Sequence, residues 1–162
     1  MHLEVDIEHW PAGDWQSLAE RVAAASAEVE PLLAGPRLEV SILLTDDVEV
    51  HRLNREWRQR DKPTNVLSFP MLDFEELLAL DPAGPPAMLG DIALAHETCV
   101  READERGIPL EHHAAHLIVH GLLHLAGHDH VACDTNAEKM EALEIAALAK
   151  LGIPDPYGDR EQ

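Results

Sequence analysis

Residues His2 to His9 alternate apolar and polar side chains, the period of a strand with one face buried. Asp14 stands where an N-cap belongs, ahead of an alanine-rich helix over Trp15 to Glu30 that the Pro31 to Pro36 segment ends. Arg37 to Leu44 is a second strand, and the Thr45-Asp46-Asp47 run caps a helix reaching Trp57. Asn65 to Phe69 is a short strand enclosed by Pro63 and Pro70, and those prolines favour a sheet edge or an interrupted strand. Residues 71–87 are acidic, then rich in proline and glycine, an exposed loop with room for one helical turn. Met88 to Ala95 is the last strand. Helices follow over Glu97 to Arg106, Pro109 to Ala126 and Asp134 to Leu151.

Strands interleaved with helices, then a run of helices, predict an α+β fold: a single mixed sheet of about four strands packed with about five helices. No repeat or linker splits the chain, so one domain is expected over residues 1–152, with a loose tail over 153–162. The helix over Pro109 to Ala126 should pack on the sheet through Leu117, Ile118, Leu122 and Leu125. Its histidines are then left toward a cleft.

Those histidines carry the chemistry. Seven of the eleven in the chain fall between His112 and His130. His120, His124, Gly127 and His130 form the pattern H-x-x-x-H-x-x-G-x-x-H. Four residues are little more than one helical turn, so His120 and His124 project from one face. Gly127 can take the left-handed conformation that ends a helix, and the chain can then bring His130 to the same ion. Three imidazoles and an open fourth position describe a catalytic zinc site, one ion per chain, on a zincin-like helix and turn. His116, His120 and His124 are a rival triad, but His116 and His124 would stand about 12 Å apart along a straight helix. The expected set is therefore His120, His124 and His130. His116 should support the site or pack beside it, His112 and His113 should face solvent, and His128 is a turn residue or lines the pocket. A glutamate directly after the first histidine would complete a metzincin protease signature. Here the position is Gly121, which disfavours peptidase activity of that type.

Composition narrows the setting. A hydrophobic fraction of 46% fits a globular domain with a proper core. Cys99 and Cys133 form no C-x-x-C pair and read as buried thiols in a reducing cytoplasm. No stretch resembles a signal peptide or is long enough to span a membrane. The net charge of −19 argues against a generic nucleic-acid binder. Yet Arg52, Arg55, Arg58, Arg60 and Lys62 crowd one window that also holds Glu56 and Asp61, net +3, leaving −22 for the rest. Such a patch on an acidic body suits one defined phosphate site or a solvated helix end.

Three separated segments, DKPTNVLSFP (61–70), GDIALA (90–95) and HLIVHGLLHLAGHDH (116–130), together with N-x-x-W-R over Asn54 to Arg58, resemble the YbeY family of bacterial endoribonucleases. The likeness runs in order over residues 38–150. It implies a zinc-dependent endoribonuclease specific for single-stranded RNA, acting on ribosomal RNA at the 3′ end of the small-subunit species and in ribosome quality control. The family's zinc ligands fall on His120, His124 and His130, and its key arginine on Arg58, which with His124 would carry catalysis. One departure is His128, where the family commonly has tyrosine. The acidity of the chain also implies that the ribosome or its proteins supply affinity for RNA. Ser68 and Asn65 either line the cleft or merely end their strand. Two other readings stand beside this one: a zinc hydrolase of peptidase type, and a non-catalytic ribosome-assembly factor with structural zinc.

Overall fold

The structure, a computed structural model, describes residues 1–128 and 134–157. Its strands are β1 (His2–Ile7), β2 (Leu38–Thr45), β3 (Val66–Pro70) and β4 (Ala87–Ala95), in the order β1-β2-β4-β3. The first two pairs are parallel, while β3 runs antiparallel to β4 at the edge. Pro63 precedes and Pro70 ends an edge strand, the first of the two readings those prolines allow. The helices are α1 (Trp15–Val29), α2 (Asp47–Arg58), α3 (Phe74–Leu78), α4 (His96–Arg106), α5 (Leu110–Leu125) and α6 (Asp134–Lys150). The five expected helices are present, and α3 is the single turn that the 71–87 loop had room for.

Local chemistry sets these boundaries. Asp14 accepts from the backbone N–H of Ser17 and caps α1, and Asp46 does the same for α2 through Glu49. Asp73 and Glu76 close a reciprocal capping box on α3.

The sheet separates two unequal faces. Leu38, Val40, Ile42 and Leu44 alternate onto the side covered by α1 and α5, where they join the main core. Val50 of α2 meets Leu67, Ala93 and Ala95 in a smaller cluster on the other side. Helix α5 packs as expected, with Leu117, Ile118, Leu122 and Leu125 all buried. It lies close against the sheet at Gly121, where an added Cβ would lie 2.9 Å from Ile92 Cδ1. Gly127, at φ +101°, turns the chain out of α5 as its position foretold.

Two expectations fail along α5. His113 does not face solvent: it is 1% exposed, because α4 packs alongside and offers Glu102, whose carboxylate lies 2.8 Å from His113 Nε2. His112 is half-buried rather than exposed. Of the expected tail, residues 153–157 are described, and they pack on the domain. Ile153 donates its N–H to Leu148 and packs against the core, and Tyr157 reaches back to α6. Among the described residues, no helix is long and apolar enough to cross a membrane.

Candidate metal and phosphate site

His120 and His124, one turn apart on α5, both half-buried, bring their Nε2 atoms to 3.1 Å. The rings meet edge to face with centroids 4.6 Å apart. Two nitrogens bound to one tetrahedral zinc at 2.0–2.1 Å would lie about 3.3 Å apart, so the pair has the bite that such an ion needs. His130 and Cys133 lie outside the described residues. Among those described, no third side chain joins the pair to make a complete metal-binding group.

Behind the pair stands Glu144 of α6, fully buried. Its Oε2 is 3.2 Å from His120 Nδ1, and its Oε1 is 2.7 Å from His116 Nε2 and also accepts from the Tyr157 hydroxyl. Burial alone would raise the carboxyl's pKa. Hydrogen bonds from His116, His120 and Tyr157 outweigh it and hold the pKa at about 2. No lysine or arginine pairs with this carboxylate among the described residues. A buried anion one ring behind two facing imidazoles favours a cation between them, and the donor set fits zinc. His116, buried and turned to Glu144, supports the pair from behind.

In front of the pair lies a cleft of about 240 Å³ whose lining includes Asn54, Arg58, Arg60, Lys62 and Ser68 along with His120 and His124. The basic window and the histidines, 58 or more residues apart in sequence (Lys62 to His120), thus share one space. Arg58 does not cap its own helix. Its Nη1 donates 3.1 Å to the carbonyl of Ser68, on edge strand β3. An edge strand presents unpaired carbonyls, and this one orients the guanidinium across the cleft. Ser68 lines the cleft, whereas the Asn65 side chain turns away to donate to Glu102.

Asn54 explains the shape of the basic turn. It is buried, its side chain donates 2.9 Å to the Lys62 carbonyl, and its own carbonyl accepts from Arg60 N–H. Gln59, at φ +57°, lets the chain double back for both contacts. Arg52 is committed elsewhere, paired with Glu49 and Glu56 on its own helix. His128 meets Glu30 at 2.7 Å. Cys99 is fully buried, and burial pushes its thiol pKa up.

A larger hollow of about 570 Å³ lies on the opposite face, between the sheet and α2, lined by Leu53, Trp57, Phe69 and Asp91 among others. Its lining holds no histidine, lysine or arginine, whereas the smaller cleft gathers both histidines and cations.

The model of the family described as Endoribonuclease YbeY matches residues 4–152. The chain belongs to that family. The relative named Endoribonuclease YbeY from Erythrobacter litoralis is 71% identical over 160 residues, 99% of each chain. Its namesake from Novosphingobium aromaticivorans is 58% identical, covering 96% of this chain and 95% of its own. Among solved structures, the solution structure of TM1509 from Thermotoga maritima superposes with a TM-score of 0.59 at 22% identity. It covers 98% of this chain and 91% of that one, and it supports the α+β fold.

Sequence reasoning missed Glu144, Tyr157 and the role of Asn54. Glu144 left a trace, since it falls in phase with Met140, Ala147 and Leu148 on the buried stripe of α6. A carboxylate at a core position needs partners, and histidines are the nearest available.

Proposed function

We propose that this chain is a zinc-dependent endoribonuclease of the cytoplasm that cuts unpaired RNA, matures the 3′ end of small-subunit ribosomal RNA and serves ribosome quality control. The observation that carries the reading is the convergence of Arg58, Arg60 and Lys62 with His120 and His124 on one cleft, in a chain of the YbeY family. His120, His124 and His130 would hold the ion. When bound, zinc supplies a Lewis acid for a phosphate oxygen or a water molecule. Arg58, fixed by the Ser68 carbonyl, offers its remaining N–H donors to the scissile phosphate and offsets charge that grows in the transition state. Arg60 and Lys62, held by Asn54, take neighbouring phosphates. A patch of three cations is too small to grip a long duplex, which favours a single flexible strand. The acidic remainder of the surface leaves a ribosomal partner to supply further affinity.

The peptidase reading loses ground at Gly121. The metzincin glutamate would start from a Cβ already 2.9 Å from Ile92 Cδ1, so the helix sits too close to the sheet to carry it. The deciding assay sets metal-loaded protein against single-stranded RNA, duplex RNA and casein, with His124→Ala as control. Cleavage of single-stranded RNA alone, silenced by chelation and restored by zinc, is the expected result. Cleavage that survives both chelation and His124→Ala overturns the reading.

A further inference from the structure

Glu144 is the most costly side chain in the core. It lies on the apolar stripe of α6 at 0% exposure, where a leucine or methionine would pack without desolvating a charge. One of its oxygens faces His120, and the other serves both His116 and Tyr157. Tyr157 in turn stands edge-on to His116, with ring centroids 5.4 Å apart.

We propose that Glu144 is a positioning residue for the metal-binding histidines, and that Tyr157, brought in by the C-terminal segment, is the clasp that holds it in place. The inference rests on the zinc reading above. A carboxylate can only accept hydrogen bonds, so its contact with His120 keeps the ring proton on Nδ1. The Nε2 lone pair is then directed into the cleft, toward His124 Nε2. His116 donates from Nε2 to the same carboxylate, and its Nδ1 is buried with no hydrogen-bond partner. Tyr157 supplies the third donor and prevents the carboxylate from swinging away from His120.

Two full-length variants test this, Glu144→Gln and Tyr157→Phe. The measurements are zinc affinity, by competition with a chromophoric chelator, and imidazole ¹⁵N shifts in the metal-free protein, which report the nitrogen that holds each proton. A glutamine has a single acceptor oxygen and cannot serve both imidazoles. Glu144→Gln should bind zinc about 10- to 100-fold more weakly, with His120 or His116 changing tautomer. Tyr157→Phe should weaken zinc binding about three- to tenfold with little change in melting temperature. Folded variants that bind zinc like the wild type, with both tautomers intact, make Glu144 a packing residue and sink the inference while the zinc reading stands. A wild type that holds no zinc sinks both. If Glu144→Gln fails to fold, Tyr157→Phe, which removes one hydroxyl, decides on the same two measurements.

Discussion

His113 and His116 share a helix with His120 and His124, one turn earlier, and their surroundings divide them sharply. Each of the first two is buried against a carboxylate, Glu102 or Glu144, and leaves its Nδ1 with no partner. The second two are half-buried and meet each other across a cleft lined by arginines and a lysine. Residue type and helix alone cannot tell the pairs apart. What separates them is the element standing opposite. Helix α4, helix α6 and the C-terminal segment close over the first pair, whereas edge strand β3 and the end of α2 leave a gap before the second. The same imidazole is thus a core strut in one half of α5 and a cleft-facing donor in the other.

The largest expected effect is on the cleft side. His124→Ala should lose bound zinc and all metal-dependent activity while the fold persists, as read by elemental analysis and circular dichroism. His116→Ala should keep most of its zinc, and a reversal of these two outcomes would erase the distinction between the pairs. Arg58→Ala, a test that leaves both pairs in place, should lower the cleavage rate about 10²- to 10³-fold, the typical cost of one transition-state donor. Its zinc content should not change, and Arg58→Lys should recover only part of the rate, since an ammonium cannot reproduce the guanidinium fork.

The packed side should answer in stability instead. His113→Ala should cost about 2–3 kcal/mol in urea unfolding through the cavity and the stranded Glu102 carboxylate, with zinc affinity unchanged. Burial, opposed by Glu102, lowers the His113 pKa below the ordinary histidine value of 6.5. The unfolded chain therefore takes up this proton first, and the metal-free protein should begin to lose stability as pH falls below 6.5. Glu144 adds a second loss as pH falls from its unfolded value of 4.5 toward about 2. His113→Ala should flatten the first of these declines only. Gly121→Ala should cost about 1–3 kcal/mol by overpacking against Ile92, and Ile92→Val should return part of it. Arg52→Ala, which breaks only ion pairs within one helix, should shift stability by less than about 1 kcal/mol and leave cleavage nearly intact.

Much of the fold was legible because its determinants are local. Asp14 and Asp46 announce their helices, Pro63 and Pro70 mark an edge, and Gly127 ends α5 where a single residue decides the matter. The cleft was partly legible for the same reason, since a histidine pair and a basic window are each short-range patterns. The supports of the site were hidden because they act across 24 to 41 residues, from Glu144 to His120 and from Tyr157 to His116. His113 was misread because its neighbour Glu102 belongs to another helix. Asn54 stood in plain view within N-x-x-W-R, but its use depends on a turn that only the folded chain reveals.

The gathering of Arg58, Arg60 and Lys62 at one rim of a body carrying −22 also governs how substrate arrives. In very dilute salt a polyanion is repelled over most of the surface and drawn in over one narrow sector. Screening reaches about 10 Å at 0.1 M ionic strength, so added salt first quiets the repulsion and only later the attraction. The association rate should then pass through a maximum with salt, where a uniformly basic protein would show a steady fall. The acidic body acts as a filter on encounters, turning away strands that come in at the wrong angle and passing those already aligned with the basic rim.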